Sequence, residues 1–157
     1  MKEFFSKLWT YIGEFLLSVL IVVGFSICFG IHNIVTFIGK TNDEWFSLAG
    51  QVLFPASVAI WVTYTNIAQS KFGDYLTYCK QEKYFHLAFI APMCVQLITT
   101  IVIILNKGII NDYLKLIAGV LICYSLINLL TMIRNVTIFV KLYRKFLAEV
   151  DSQNKQS

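Results

Sequence analysis

The chain has 157 residues, 57% of them hydrophobic and only 14% charged, with a mean hydropathy of +0.68. A soluble domain of this length carries about a quarter charged residues, so a globule surrounded by water is excluded. The net charge of +4 is patchy and reads as a membrane-orientation signal rather than a nucleic-acid footprint.

Charge-free stretches run from Phe15 to Gly39, Trp45 to Ser70, Tyr84 to Asn106 and Leu116 to Ile133. Each is near the ~20 residues that a helix needs to cross ~30 Å of hydrocarbon. The expectation is an all-α, polytopic membrane protein with four transmembrane helices. Residues 1–14 form an amphipathic lead-in, 15–133 the membrane domain, 134–150 a cytoplasmic extension of the fourth helix, and 151–157 a polar tail.

In the lead-in, Phe4, Phe5, Leu8, Trp9 and Ile12 fall on one side at 100° per residue, and Lys2, Glu3, Lys7, Thr10 and Glu14 on the other. That pattern suits a helix resting at a headgroup interface, with Glu14 as an interfacial charge in line with Lys7. The following apolar run is too long for the core of a cleaved signal, so the segment is expected to be retained. Within the first span, Ser26 and Gly30 make a small-xxx-small pair that would permit close helix approach.

Pro55 in the second span and Pro92 in the third each remove a backbone donor and are expected to kink their helices. Thr63, Asn66 and Gln69 give the second span a polar side toward one end; Gln96, Thr99 and Thr100 do so near the middle of the third. Between them lies KFGDYLTYCKQEKYFH, residues 71–86, where Tyr75, Tyr78 and Tyr84 alternate with charges. Such a mixture suits either a protein interface or an amphipathic turn on the membrane.

The fourth span carries Tyr124, Asn128, Thr131 and Asn135 within about 60° of one another at 3.6 residues per turn. In lipid a polar stripe turns toward protein, which makes it a packing seam; a pore lining is the alternative. Arg134 points away from the stripe and is expected to snorkel to the headgroups as an anchor. Beyond it, RNVTIFVKLYRKFLAEV holds no Gly or Pro, so the helix is expected to run on from about Tyr113 to Val150, roughly 57 Å at 1.5 Å per residue. Its apolar side, with Phe139, Tyr143 and Phe146, and the basic Arg144 are candidate partner-docking residues.

With an even number of spans both termini share a side. That side holds ten of the thirteen Lys and Arg residues, and the other holds Lys40, Lys107 and Lys115. The bias predicts cytoplasmic termini. Catalytic and cofactor signatures are missing: the two histidines fall near opposite surfaces, Cys28, Cys79, Cys94 and Cys123 form no CxxC, and no phosphate loop or nucleophile elbow occurs. Neither an enzyme nor a cofactor is expected.

In having four spans, short outer turns and basic–aromatic segments at 71–86 and 134–150, the whole chain resembles the KwaA membrane subunits of the Kiwa anti-phage defence system. The resemblance implies a homo-oligomer, plausibly a tetramer, that senses infection in the inner membrane. It also implies a cytoplasmic effector, KwaB, as partner, so that nucleic acid is not contacted directly. Membrane lipid is the other partner. The alternatives are an integral-membrane immunity or superinfection-exclusion protein and, third, a small channel.

Overall fold

The computed structural model describes the backbone of residues 2–108 and 111–154, and side chains of residues 9–108, 111–150 and 152. The protein is 94% helical, with no strand among the described residues. Helix α1 spans Lys2–Phe29, α2 Ile31–Lys40 and α3 Asn42–Phe46. A π-helical segment, Ser47–Leu53, leads into α4, Phe54–Ala68; α5 is Lys71–Tyr78, α6 Glu82–Gly108 and α7 Asp112–Asn154. Four stretches are long and apolar enough to cross a membrane: Trp9–Phe29, Asn42–Ala68, Glu82–Gly108 and Asp112–Val150. This is a membrane protein built as a four-helix bundle.

Contacts fix how the spans run. Glu14 and Phe15 of α1 meet Thr131 and Tyr124 of α7, whereas Ile38, farther along the chain, lies against Gly119. Asn135 of α7 reaches Ala88 of α6, and Ser125 reaches Gln96. Tyr64 of α4 touches Glu82 and Phe89, and Asn42 touches Ile103 and Asn106. Successive spans are therefore antiparallel, and the start of α1 and the end of α7 lie at one end of the bundle, here the terminal end.

α6 and α7 form the spine. Buried positions on α6 fall at Phe85, Phe89, Pro92, Gln96, Thr99, Ile103 and Asn106; those on α7 at Ala118, Ile122, Ser125, Asn128, Met132, Asn135 and Phe139. Both series step by threes and fours, close to the 3.5-residue period that keeps one seam facing its partner.

The first span is shorter than its charge-free stretch. Gly30 breaks it with φ of +85°, a conformation that Gly adopts without steric cost. A Cβ there would meet nothing within 4 Å, so Gly30 is a break and not half of a close-packed small-residue pair; Ser26 lines an apolar groove instead. The chain then turns into α2, which buries Val35 and Ile38 and crosses the first turns of α7 at the distal end.

The prolines act differently from each other. Pro55 sits in the first turn of α4 directly after the π-helical segment, where Phe54 N–H reaches back to Ala49 O. The helix widens there because Pro55 has no N–H to give the preceding turn. Pro92 lies inside α6, which is helical on both sides of it. It cannot bond the carbonyl four residues earlier, on Ala88. Asn135 Nδ2 donates to that carbonyl at 3.4 Å. An amide from α7 thus fills the vacancy that proline leaves in a setting with no water to fill it.

At the terminal end, Ser70 caps α5 by accepting from Phe72 N–H, and α5 folds back beneath α7. The turn is tight: a Cβ on Gly73 would lie 1.8 Å from Ala68 O, so only glycine fits. Lys80, at φ 57°, closes α5 while Gln81 N–H bonds Leu76 O. The result buries Phe72, Leu76, Phe85, Phe89, Tyr64 and Phe139 in one cluster. Phe139 is its hub, with ring centroids of Tyr64, Phe72, Phe85 and Phe89 at 5.3 to 5.6 Å.

The link between Pro92 and Asn135 can be measured. Asn135→Leu should destabilise the protein by about 1–3 kcal/mol, because Ala88 O is then buried and unbonded. In a Pro92→Ala background, where the helix regains its own N–H, the same substitution should cost less by at least about 0.5 kcal/mol. Unfolding of the four variants in detergent reads the coupling.

Candidate functional site: a carboxyl buried between two spans

Among the described side chains of α1 the buried ones are Tyr11, Glu14, Ser18 and Val22, one stripe at steps of three and four. Trp9, Leu16 and Leu20 point outward and are 70, 54 and 67% exposed. Lipid surrounds this helix, so its apolar side chains face out and its polar ones face protein. Glu14 is therefore not the exposed interfacial charge expected from its alignment with Lys7. That expectation assumed water or headgroups on the polar side, and here the polar side is the packed one. The side chains of residues 1–8, on which the rest of the lead-in pattern depends, lie outside the described residues. The helix itself runs unbroken from Lys2 through Glu14 into the span.

Two α7 side chains hold the Glu14 carboxyl. Asn128 Nδ2 donates to Oε2 at 3.1 Å, and the Thr131 hydroxyl donates to Oε1 in a short hydrogen bond. Asn128 is fully buried. Its other amide atom, Oδ1, is buried as well and accepts from no donor. Tyr11 lies one turn before Glu14 on the same stripe, and the Phe15 ring meets Tyr124 of α7 edge-on at 5.5 Å. Among the described residues the ion pairs are Lys107–Asp43, at 2.5 Å, and Lys115–Asp112, at 3.1 Å, so no described cation neutralises Glu14.

The polar groups continue along the spine. Ser125 Oγ donates to Gln96 Oε1 at 2.5 Å, and Gln96 Nε2 reaches Ser125 O at 3.4 Å. Thr99 Oγ bonds Val95 O of its own helix at 2.8 Å. The seam residues Gln96, Asn128, Thr131 and Asn135 are thus brought together along one face of α7, whereas Ser26 and Gly30 are not part of it. The stripe also meets an acidic group, which its own sequence did not contain. Arg134, between Thr131 and Asn135 in the chain, is exposed and turned away.

The aromatic residues proposed for docking divide sharply. Phe139 is buried, and Tyr143 and Phe146 pack on Phe72 with centroids at 5.1 and 5.3 Å. Tyr75 stacks on Phe72 and Tyr84 packs against Phe85. These five are core or near-core residues of this chain, and Phe139 is not available to a partner. α5 covers the apolar side of α7 that the sequence left open. Tyr78, 86% exposed, and Arg144, also exposed, remain at the surface.

Cys28 and Cys94 are exposed on the bundle surface. Among the described residues, no three His, Cys, Asp or Glu side chains gather into a group that could hold a metal. Compared with known proteins, the chain matches no family model, no curated protein and no solved structure.

Asn128 and Glu14 should behave as one unit. Asn128→Leu strips a buried carboxyl of a donor and should cost about 1–3 kcal/mol. Combined with Glu14→Gln, the cost should differ from the sum of the single effects by about 0.5–3 kcal/mol. Additive effects in detergent unfolding would mean that the two side chains do not bond.

Proposed function

We propose that the protein is a non-enzymatic, membrane-embedded sensor or scaffold subunit that holds a cytoplasmic effector, in an oligomer within the bacterial inner membrane. The observation that carries this reading is α7: a single helix of 43 residues on which both the buried polar site and the terminal-end surface are built. A helix that long outruns the ~30 Å hydrocarbon and continues into water with its packing intact.

The terminal end is also where function can face a partner. Lys71, Lys80, Lys83, Lys141, Arg144 and Lys145 are exposed there, beside a strongly exposed Tyr78. An excess of basic residues at this end favours cytoplasmic termini. Among the described residues the distal end offers α2 and short turns, which leaves little for a large external ligand. Membership of an anti-phage defence complex, a tetrameric state and a KwaB-like effector come from the resemblance to KwaA subunits in architecture.

Phage challenge tests the proposal in cells carrying the gene with its chromosomal neighbours. Protection should be present, and the purified particle should contain several copies of the chain with a cytoplasmic protein attached. Tyr78→Asp with Arg144→Glu should leave insertion and folding intact but remove both the attached protein and the protection. A one-chain particle without protection would overturn the proposal. So would full protection by the chain expressed alone, which is the behaviour of an immunity or exclusion protein.

A further inference from the structure

α1 and α7 touch near the terminal end and part toward the distal one. Between them lies an apolar cleft of about 690 Å³, lined by Val19, Val22, Ser26 and Ile27 of α1 and by Leu116 and Val120 of α7. We propose that this cleft is a lipid-binding site that holds one acyl chain of a phospholipid from the distal leaflet. The proposal does not rest on the sensor reading, since it concerns only what the cleft binds.

The occupant has to be apolar. The cleft lies between two membrane-crossing stretches, Trp9–Phe29 and Asp112–Val150, at a depth where hydrocarbon and not water surrounds the bundle. Ser26 supplies the one polar side chain among its lining residues. Left empty, the cleft would cost its lining atoms their dispersion contacts on one side. Collapse of α1 onto α7 is not driven either, because lipid tails are as apolar as the side chains they would give up.

Length and position select a tail rather than a helix. Val19 is the middle residue of the Trp9–Phe29 stretch, so the cleft opens from near the midplane. Phe15, whose ring meets Tyr124 at 5.5 Å, closes its base, and beside it Glu14 is tied to Asn128 and Thr131. Residues 19–31 on the α1 side cover about 18 Å at 1.5 Å per residue, ending at Ile31, where α2 begins. On the α7 side, residues 116–121 lie within about 14 Å of Asp112, the distal end of that helix. The cleft therefore occupies the distal leaflet alone. One leaflet is about 15 Å of hydrocarbon, half of the ~30 Å core, and that is the depth an acyl chain fills. A membrane-crossing helix of a second copy needs a path through the whole core, and the Phe15–Tyr124 contact blocks this one halfway.

Enclosure on two flanks separates this tail from the lipid around the bundle. Val19, Ser26, Leu116 and Val120 are half-buried, whereas Leu16 and Leu20, on the outer side of α1, are exposed. A chain between α1 and α7 touches protein on both sides and supplies the contact that the two helices do not make directly there. It exchanges more slowly than a tail resting on one helix.

Photolabelling of the full chain tests this, in vesicles of phosphatidylethanolamine and phosphatidylglycerol that include a phosphatidylglycerol with a diazirine midway along one acyl chain. After irradiation, mass spectrometry of the peptides should find several-fold more adducts at residues 19–27 and 116–121 than at Ile101 and Ile104, exposed residues in the distal half of α6. Ser26→Phe with Val120→Phe, which fills the cleft with side chain, should remove that excess. Labelling of the cleft equal to that of α6 means ordinary lipid contact, and labelling below it means that a second copy covers the cleft; either result overturns the proposal. So does an excess that survives in the filled variant. If that variant does not insert, the ratio in the unaltered chain decides alone.

Discussion

Every polar group within the hydrocarbon has to find its partner in protein, and α7 is where this chain provides those partners. An amide or hydroxyl left without a hydrogen bond in an apolar medium costs several kcal/mol, whereas one bond between membrane helices contributes only about 0.6 to 2 kcal/mol net. The first number outweighs the second. These bonds therefore act less as glue than as a constraint on register: only one alignment of α1, α6 and α7 satisfies all of them. Asn135 meets the carbonyl orphaned by Pro92, Ser125 meets Gln96, and Asn128 with Thr131 meets Glu14. Sliding α7 by one turn would break all three together.

At 43 residues the same helix is longer than the hydrocarbon is thick, and its inner face changes character without changing direction. Up to Asn135 the buried positions are largely small or polar; from Phe139 onward they are aromatic. In lipid the polar side is driven inward, and in water the apolar side is. This reversal was legible in the sequence of the fourth span, because the polar stripe and the later apolar side fall on overlapping faces of one uninterrupted helix. It was not legible at the other terminus. Residues 1–14 contain enough charge to resemble a surface helix, but Glu14 follows the rule for lipid. The steps from Tyr11 to Glu14 to Ser18 carried the signal: three polar-capable side chains on one stripe of a helix whose other residues are apolar.

Two further differences have physical causes of the same local kind. The charge-free stretch from Phe15 to Gly39 is longer than one crossing requires, and the surplus became α2; Gly30, free to adopt a positive φ, marks where. The aromatic residues of the 71–86 segment and of the stem each looked unpartnered when read as separate stretches. They are one another's partners, because Ser70 and Gly73 turn α5 back sharply enough to place Phe72 under Phe139, Tyr143 and Phe146. A single sequence gives the composition of each face but not which two faces meet. That information lies in the turn, where one extra Cβ on Gly73 would collide with Ala68 O.

The least constrained element is α1. Its described side chains are mostly turned to lipid, and a groove separates its distal half from α7. Regions with few buried contacts open at lower free energy than the core, so α1 is the element most easily displaced. One polar tie to the spine is the carboxyl of Glu14, bound to a helix that is rigid over the next turns by virtue of the Asn135 bond and the Phe139 cluster. From Asn128 to Phe139 is eleven residues, about 16 Å of helix. A change in the Glu14 bond therefore acts at one end of a stiff rod whose other end is the aromatic core beneath the terminal surface. The sequence places the loosest joint and the stiffest element on the two sides of the same hydrogen bond.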